Sequence, residues 1–532
     1  MNYMLAAAHG AAEAEDGADP VLDRVVSLEA LGVRFQDAGS NVSVRGNLEG
    51  LSDADRAWIK AHEAEIHELV AIPSAAKATA GMDLAEAEAL IPPNHRLLLK
   101  YSGSSPYYYG FLCRYNVKTP MIITGPINPE RLQQALDWTL RLHPALATRF
   151  SRSGDQYRRW FSDEAITINL LPVADEEDWR LAFQKDLNIL GDRAHDMNGG
   201  ALVRATMLAL PDGRHAFQLE AHHLVIDHVA VQAVLRDLIR CYLNGPPSAE
   251  EVDKARTDYL RYLAWEYSRP LARRRSLAEA RWRRWLAGVP EGAASFRLDG
   301  PRLPEGNLMD RRCTQSIDAE VLWASGQAAR SMKVSLPSLL MGAFFCLLAR
   351  HSGHSTVVAA VAEEGRRLPE FWSLCEFMAI SLPLSVEIQP GDSFRVVVER
   401  VQRTVAEEKQ EPTTLAMLER AFLTRPKVLP WRIANVMVTI ITEGADGATT
   451  AGPLEIGRID QYYPDGLSPM NPDMPLDVLL QLRVRPGRAV CDWYFNSRIL
   501  RPETMAAIHR EYVEMIRDFI SDPAAPVNIS AD

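Results

Sequence analysis

The chain has 532 residues, of which 47% are hydrophobic and 24% are charged, and its 58 basic and 69 acidic side chains give a formal net charge of −11. This composition is typical of a globular protein with material for two or three domains, and an acidic chain without a basic stripe argues against nucleic acid as a partner. Six scattered cysteines without a C-x-x-C pair favour reduced core thiols in the cytoplasm over a disulfide framework or a zinc site.

No stretch of the sequence predicts a membrane span. The most apolar helical run, residues 336–349, contains Pro337 and Ser338 and is too short to cross a bilayer. The N-terminus has a short apolar run, residues 4–8, but lacks the basic flank of a signal peptide. We expect a cytoplasmic protein without a membrane partner, and we take it to be a monomer.

The N-terminal region predicts a disordered tail followed by a compact unit. Residues 1–20 are small and acidic, which is typical of a disordered segment, and the compact unit covers residues 21–72. Its predicted elements are a helix (21–31), two strands (33–35 and 42–44) around a turn (37–40), and a helix with an apolar stripe that Ser52 caps and that extends to Val70.

A unit of this size has a marginal core, so its exposed strand edge is available to pair with an extended peptide. The candidate partner-binding residues are Val33, Phe35, Val42 and Val44. A mere N-terminal extension of the main domain is the alternative. The order of elements resembles the β-hairpin (TubC-like) docking domains of assembly-line subunits, which bind a short segment at the C-terminus of the upstream protein. The resemblance implies an upstream acyl or peptidyl carrier protein as partner, bound through its C-terminal tail.

Residues 73–91, rich in small and polar side chains, predict a linker to a larger body that starts near residue 92. The first predicted elements of the body are strands (107–117 and 121–123), a helix that Asn128 caps (129–142), and a hairpin (202–210 and 215–220). The hairpin delivers the chain to a cluster of histidines.

This cluster, His222-His223-Leu224-Val225-Ile226-Asp227-His228, lies between the predicted strand and a predicted helix (229–239). A neutral imidazole accepts a proton near neutral pH, and a nearby carboxylate fixes the turn or the tautomer. A buried histidine pair with an aspartate that caps the helix is the structural alternative. A metal site is disfavoured, because no further cysteine or carboxylate cluster lies at ligand spacing.

The HH-x-x-x-D pattern resembles the HH-x-x-x-DG signature of nonribosomal-peptide condensation domains and related carrier- or CoA-dependent acyltransferases. The resemblance implies that His223 is catalytic and that Asp227 is mainly structural and salt-bridged. His222 is the third candidate catalytic residue, and a packing role is the simpler expectation for it. His228 stands where the family has glycine, and we count it as a candidate substrate-binding residue that constricts the channel or donates a hydrogen bond to the acyl oxygen.

An arginine-rich helix (273–286) and a loop rich in proline and glycine (288–308) divide the body. The charge run Arg281 to Arg284 predicts a solvated helix face. The segment Gly365-Arg366-Arg367-Leu368-Pro369 resembles the family's GRxxP. Because an unpaired buried carboxylate is costly, Arg366 is our candidate cation for Asp227, and we also place it with the substrate-binding residues. A solvent-facing arginine in a turn is the alternative.

Residues 376–384 occupy the place of the family's GxFVNTLPL segment, but they keep neither its glycine nor its asparagine. The resemblance extends from about residue 95 to 532 and implies a mixed α/β fold. It predicts two chloramphenicol-acetyltransferase-like lobes (92–280 and 281–532) in a V-shaped pseudo-dimer, with the catalytic turn in a tunnel between them. No cofactor is expected to bind, apart from the phosphopantetheine arm of a partner carrier protein.

As a hypothesis, the chain is a free-standing condensation enzyme that transfers an acyl chain from this arm to a small amine or alcohol acceptor. The architecture resembles the chain-releasing condensation enzyme of the enacyloxin polyketide synthase. A non-catalytic condensation-like recruitment domain and a CoA-dependent acyltransferase are the alternatives.

Overall fold

The computed structural model of the chain describes residues 19–79, 81–102, 113–153, 156–171, 194–290, 292–301, 309–422, 435–442, 449–458 and 476–529. The predicted disordered tail up to residue 18 and the first part of the predicted strand at 107–117 lie outside these residues. Asp19 already belongs to ordered structure, because its carboxylate accepts the Leu22 N–H at 3.0 Å and so caps the first helix.

The N-terminal unit has the predicted order of elements. They are α1 (Pro20–Glu29), β1 (Val33–Asp37), β2 (Val42–Gly46), α2 (Asp53–Ala61) and α3 (Glu63–Val70). Ser52 begins α2 with a capping box in which it and Asp55 exchange hydrogen bonds. The single predicted helix after Ser52 is in fact two helices, because the backbone leaves helical geometry at His62 (φ −114°, ψ 20°).

The segment predicted as a linker packs against the body, so that prediction is wrong. It contains two short helices, α4 (Ala75–Ala78) and α5 (Leu84–Ala87). Ala75 and Ala78 are buried in the core of the body, and the Trp265 indole N–H donates to the Pro73 carbonyl at 2.8 Å. Small side chains, which indicate flexibility in an exposed segment, here allow close packing.

The first part of the body contains helices and strands that precede and follow the histidine cluster. They are α6 (Pro93–Ser102), β3 (Asn116–Thr124), α7 (Pro129–Leu142), β4 (Thr148–Ser153), β5 (Gln156–Phe161), β6 (Ile168–Leu171), β7 (Val203–Ala209), β8 (His215–His222), α8 (His228–Asn244), α9 (Ala249–Glu266) and α10 (Arg269–Ala287). The predicted cap at Asn128 is confirmed, since its Oδ1 accepts the Arg131 N–H at 2.9 Å. The predicted antiparallel hairpin is β7–β8.

The second part repeats this alternation. Its elements are β9 (Arg311–Ile317), α11 (Ala319–Met332), α12 (Leu336–Ser352), β10 (Thr356–Glu363), β11 (Ile380–Glu387), α13 (Phe394–Glu408), α14 (Leu415–Phe422), β12 (Val436–Thr442), β13 (Thr449–Ala451), β14 (Leu454–Arg458), β15 (Val478–Arg485), β16 (Arg488–Phe495) and α15 (Pro502–Ser521). Within the described ranges, no single helix has the length and apolarity to span a bilayer. The bent pair α11–α12 passes that test by length and composition, but residues 338–349 of α12 are buried in the core of the protein.

Two six-stranded mixed sheets organise the body, which confirms the predicted mixed α/β class. Their strand orders are β13-β14-β3-β8-β7-β6 and β11-β10-β12-β15-β16-β9. The sequence division near residue 280 does not account for the first sheet, because β13 and β14 come from the second part of the chain. β14 pairs antiparallel with β3, with Ile456 opposite Ile123. The two parts of the body are therefore joined through a shared sheet as well as by side chains.

A buried ion cluster joins the N-terminal unit to the body. The prediction of a solvated face for Arg281 to Arg284 is wrong at Arg281, which is only 6% exposed. Its guanidinium lies 2.6 Å from both Glu29 on α1 and Glu411 after α13. Arg283, on the same helix, does face solvent and pairs with Glu279. The N-terminal unit covers one side of α10 and turns part of a polar helix face into an interface.

Candidate active site

The turn from β8 to α8 carries the histidine cluster. Its start is fixed by the His223 N–H, which donates to the Tyr115 carbonyl at 2.7 Å. Its end is fixed by Asp227, the N-cap of α8, whose Oδ1 accepts the Ala230 N–H at 2.9 Å. Strand pairing at one end and a helix cap at the other hold the cluster in one conformation.

Asp227 is completely buried, and each of its carboxylate oxygens is hydrogen-bonded. Arg366 binds it in a bidentate manner, with Nη1 2.6 Å from Oδ2 and Nη2 2.9 Å from Oδ1. The Met378 and Ala379 N–H groups also donate to Oδ2, at 3.1 and 3.2 Å. The predicted pairing of Asp227 with Arg366 is confirmed, and it satisfies a charge that would be costly to bury alone.

The contacts of Arg366 argue against the substrate-binding role that we also expected of it. Besides Asp227, its guanidinium donates to the carbonyl oxygens of Glu364, Trp372 and Leu374, each at 3.2 Å. The residue is 8% exposed. Its donors are therefore used inside the protein, and it serves as a structural link between the turn and the second part of the chain.

Gly365 allows Arg366 to reach this position. Its φ is +69°, and a Cβ built there would lie 1.7 Å from the Met378 carbonyl oxygen. Only glycine accommodates both the left-handed conformation and so close a backbone approach. The glycine of the GRxxP segment therefore allows the close backbone approach between residues 365 and 378. The same approach brings the Met378 N–H within hydrogen-bond distance of Asp227.

His223 has the properties of a general base. Its Nδ1 lies 3.0 Å from the Ile226 carbonyl oxygen, which can only accept, so Nδ1 carries the proton and Nε2 has a free lone pair. Burial lowers the pKa of His223 to about 4, against smaller upward effects of Asp227 and of the Ile226 carbonyl. The imidazole is therefore neutral near pH 7. The residue as a whole is intermediate in exposure.

Two aromatic rings border the His223 imidazole. The ring centroid of Tyr115 lies 4.2 Å away and that of Phe377 lies 5.3 Å away. Burial raises the pKa of Tyr115 to about 12, so its hydroxyl stays protonated across the neutral range. Sequence reasoning missed Tyr115, because this residue directly precedes β3 and is near the turn only through the pairing of β3 with β8.

The contacts of His222 favour the packing role over the catalytic one among the two roles that we considered for it. It is fully buried, and its Nδ1 accepts the Leu224 N–H at 2.9 Å. Its ring packs edge-on against His195, with 5.6 Å between centroids. A histidine with a backbone donor on one nitrogen and a packed ring supports the turn.

His228 is exposed at the first position of α8, and a positive charge on it would lower the pKa of His223. It is therefore within electrostatic reach of the imidazole. Whether it constricts a channel or bonds to an acyl oxygen stays a prediction. Among the described residues, no group of three or more His, Cys, Asp and Glu side chains is arranged to hold a metal ion.

The candidate docking residues lie on the β1–β2 hairpin in two different environments. Val33 and Phe35 are buried in the core of the N-terminal unit, which also includes Leu277 of α10. The Phe35 N–H donates to Glu29 at 3.2 Å and its carbonyl accepts from Arg281 at 2.7 Å. The outer edge of β1 is therefore occupied by the protein itself, and Val33 and Phe35 do not offer side chains to a partner.

The outer edge of β2 is different. Val44 is opposite Phe35 and Val42 is opposite Asp37 in the antiparallel register. Because Phe35 directs its backbone groups away from β2, the alternation of antiparallel pairs requires Val44 and Val42 to direct theirs away from β1. Within the described residues, β1 and β2 form a sheet of their own. The edge suited to strand addition is thus that of Val42 and Val44.

The comparisons with known proteins identify the family of the chain. A profile of the Condensation domain family matches residues 112–530, and the chain belongs to this family. Condensation domains are generally acyltransferases, and they act on phosphopantetheine-bound substrates of partner carrier proteins.

Relatives among characterised synthetases are much longer than this chain. Surfactin synthase subunit 1 of Bacillus subtilis is 21% identical over 419 residues, which are 78% of this chain and 11% of that protein. Phosphinothricin tripeptide synthetase PhsC of Streptomyces viridochromogenes is 24% identical over 428 residues, which are 77% of this chain and 37% of that protein. The chain thus spans only a minor part of either relative.

Solved structures with the same fold cover most of the chain. SgcC5 from Streptomyces globisporus superposes with a TM-score of 0.62 at 22% identity, covering 79% of this chain and 99% of that one. The starter condensation domain of rhizomide synthetase, in complex with C8-CoA and Leu-SNAC, gives 0.67 at 16% identity, with 84% and 98% covered. The X-domain from teicoplanin biosynthesis gives 0.64 at 18% identity, with 83% and 96% covered. These likenesses establish the condensation fold.

Proposed function

We propose that this protein transfers an acyl group from the phosphopantetheine thioester of a carrier protein to an amine or hydroxyl acceptor. The acyl group is thereby released from the carrier as an amide or ester. The observation that carries the proposal is the state of His223. Its Nδ1 bonds to the Ile226 carbonyl oxygen, which directs the proton to Nδ1 and leaves Nε2 as the proton acceptor, and burial lowers the pKa of the imidazole to about 4. The turn that carries it is fixed by Asp227 and Arg366.

In the reaction, the acceptor nitrogen or oxygen attacks the thioester carbonyl carbon as its proton moves to Nε2 of His223. The tetrahedral intermediate then collapses, the carbon–sulfur bond breaks, and the pantetheine thiolate leaves and receives the proton from the imidazolium. Atoms and charge balance without a metal or a redox partner. Positioning two bound reactants side by side contributes several kcal/mol to such a reaction, so one base suffices.

We propose that the carrier protein docks in trans on the β2 edge, where an extended segment at its C-terminus adds a third strand beside Val42 and Val44. Support comes from the outward backbone groups of β2 and from the order of elements in the N-terminal unit. The ion cluster between α1, α10 and Glu411 supports a fixed position of this edge relative to the body. A docked carrier would therefore approach the body from a defined direction.

Intact-protein mass spectrometry of an acyl-loaded carrier tests the transfer. Incubated with this protein and a panel of small amines and alcohols, the carrier is expected to lose its acyl group to an acceptor. His223→Ala should abolish this loss while carrier binding persists. His354→Ala, at a histidine of the loop between α12 and β10, is the matched control and should retain activity. Undiminished transfer by His223→Ala would refute the proposal in favour of a recruitment role.

A proline at the free edge tests the docking. Proline is tolerated where a strand N–H faces outward, so Val44→Pro removes one outward donor while the β1–β2 bonds persist. The variant is expected to raise KM for the carrier about tenfold, through loss of strand pairing, and to leave transfer from acyl-pantetheine unchanged. An equal loss with both donors would contradict docking on β2. Efficient transfer from acyl-CoA with no preference for the carrier would favour the CoA-dependent alternative.

A further inference from the structure

The ring of Tyr115 lies against one face of the His223 imidazole. The two ring centroids are 4.2 Å apart, and the ring planes meet at 32°. Aromatic pairs in proteins generally keep their centroids about 4.5–7 Å apart, so a distance this short between nearly parallel rings requires their faces to overlap. The face of a phenol ring is the negative pole of its quadrupole, and the imidazole therefore contacts this pole.

The backbone around Tyr115 holds the two rings in register. The Tyr115 carbonyl accepts the His223 N–H at 2.7 Å. The next residue, Asn116, lies opposite His222 in the pairing of β3 with β8, and its side-chain amide donates to the buried Glu220 carboxylate at 3.0 Å. The residue that carries the phenol ring is thus fixed relative to the residue that carries the imidazole.

The imidazolium that forms during proton transfer has few groups to stabilise its charge. Nδ1 of His223 bonds to the Ile226 carbonyl, which is a neutral partner. Asp227 favours the charged ring, but Arg366 already binds this carboxylate through both of its oxygens. A protonated His228 on α8 opposes the charge. Burial opposes it further, because a buried cation loses its hydration.

We propose that Tyr115 is a positioning residue that acts through His223: its π face stabilises the imidazolium form while the imidazole holds the proton of the acceptor. This role rests on the proposed function, in which His223 takes up that proton. A cation within about 6 Å of a ring centroid is attracted by the ring quadrupole, and the attraction is stronger where the pair is desolvated. The observed 4.2 Å lies well inside this limit.

Fluorinated phenylalanines at position 115 separate this electrostatic role from a packing role. Fluorine withdraws electron density from the face of the ring and changes its shape little, so 4-fluoro-, 3,4-difluoro- and 3,4,5-trifluorophenylalanine weaken the attraction for a cation in about three steps. Tyr115→Phe is the parent of the series, so the loss of the hydroxyl is common to every member. Tyr115→Leu fills the space without a π face.

The first readout is the single-turnover rate of acyl transfer near neutral pH. From the phenylalanine parent to the trifluorinated ring, the rate is expected to fall stepwise to about one fifth, because the imidazole becomes a weaker base. Tyr115→Leu should be about tenfold slower than Tyr115→Phe.

The second readout does not require acyl transfer. Nuclear magnetic resonance of protein with carbon-13 at Cε1 of histidine follows the onset of His223 protonation as the pH is lowered from about 8 to about 5, and His223→Gln identifies the signal. Each fluorine should reduce the protonated fraction at the acid end of this range, because it destabilises the imidazolium.

Trifluorophenylalanine at Phe519 is the matched control. Phe519, on α15, stacks on Phe394 with the same 4.2 Å between ring centroids, and both residues belong to the core of the second part of the chain. No imidazole is stabilised by this pair, so the rate of transfer and the titration of His223 should equal those of the wild type.

A fluorine series in which every member has the rate and the titration of Tyr115→Phe would overturn the inference, even if Tyr115→Leu is slow, because the ring would then act by packing alone. Acyl transfer by the wild-type protein in the same experiment would leave the proposed function standing. If the wild-type protein transfers no acyl group, the proposed function is wrong, and the titration alone decides whether Tyr115 stabilises the protonated ring.

Discussion

Two buried arginine–carboxylate clusters hold this molecule together, and they are built differently. Behind the turn that carries His223, one carboxylate, Asp227, is bound by one guanidinium, Arg366, and by backbone N–H groups. At the N-terminal unit, Glu29 and Glu411 share Arg281, and each also has arginine partners of its own. The first cluster depends on one cation, whereas the second is redundant.

The two clusters therefore have different roles: the first sets the geometry of a turn, and the second attaches the N-terminal unit to the body. A bidentate pair of one carboxylate with one cation defines a single geometry, which suits a turn that carries the His223 imidazole. A network with several arginines tolerates the loss of one bond, which suits an interface that joins two units. We therefore expect the two clusters to respond differently to the removal of one arginine.

The largest expected effect is at the catalytic turn. Arg366→Met leaves the Asp227 carboxylate buried without a counter-charge, and the loss of stability is expected to be about 3–5 kcal/mol. Chemical denaturation measures it, and acyl transfer should fall as the turn loosens. In the double variant Asp227→Asn with Arg366→Met, part of the stability should return, because no buried charge remains unpaired. A single-variant loss below about 1 kcal/mol would show that the pair does not organise the turn.

A smaller effect is expected at the N-terminal interface. Arg281→Met removes the shared cation, but Arg284 still pairs with Glu29 and Arg274 still pairs with Glu411. We expect a loss of about 1–3 kcal/mol by the same denaturation experiment.

The matched control for this interface is Arg283→Met on the same helix, which removes only an exposed pair and should cost less than about 0.5 kcal/mol. Equal effects of Arg281→Met and Arg283→Met would contradict the buried role of Arg281. An Arg281→Met loss as large as that of Arg366→Met would contradict the redundancy of the network.

The smallest effect is a pH dependence at the edge of the second cluster. Burial, together with the nearby charge of Glu411, raises the pKa of Glu408 from 4.5 to about 7. A carboxyl whose pKa is raised by folding stabilises the fold fully below 4.5, and this contribution is lost as the pH rises through about 7. Glu408→Gln mimics the protonated form, so it should be more stable than the wild type at pH 8 and equal to it near pH 4. Melting temperatures that differ equally at both pH values would contradict the raised pKa.

The sequence predicted those features that depend on neighbouring residues. The hairpin β7–β8 and the helix caps at Asn128 and Ser52 follow from local patterns, and the structure confirms them. The partner of Asp227 was also predictable, because a buried carboxylate needs a cation and the GRxxP segment offered Arg366.

Features that depend on which elements meet could not be predicted in the same way. The sequence predicts a solvated Arg281, because its local pattern does not show that α1 and Glu411 cover this residue. Tyr115 carries no signal of its own, since its importance comes from its distance to His223 in the folded chain. The strand β14 joins a sheet that the linear order of the chain assigns to the other part of the body.

The proposed reaction requires a His223 imidazole that burial keeps neutral and ready to accept the proton of the acceptor. The direct measurement is the pH dependence of single-turnover acyl transfer. Because the folded pKa of His223 is lowered to about 4, the rate should be flat from about pH 8 down to about pH 5.5 and should fall only below that. A rate that instead halves near pH 6.5, the ordinary value for histidine, or a pH profile that His223→Ala leaves unchanged, would contradict the claim.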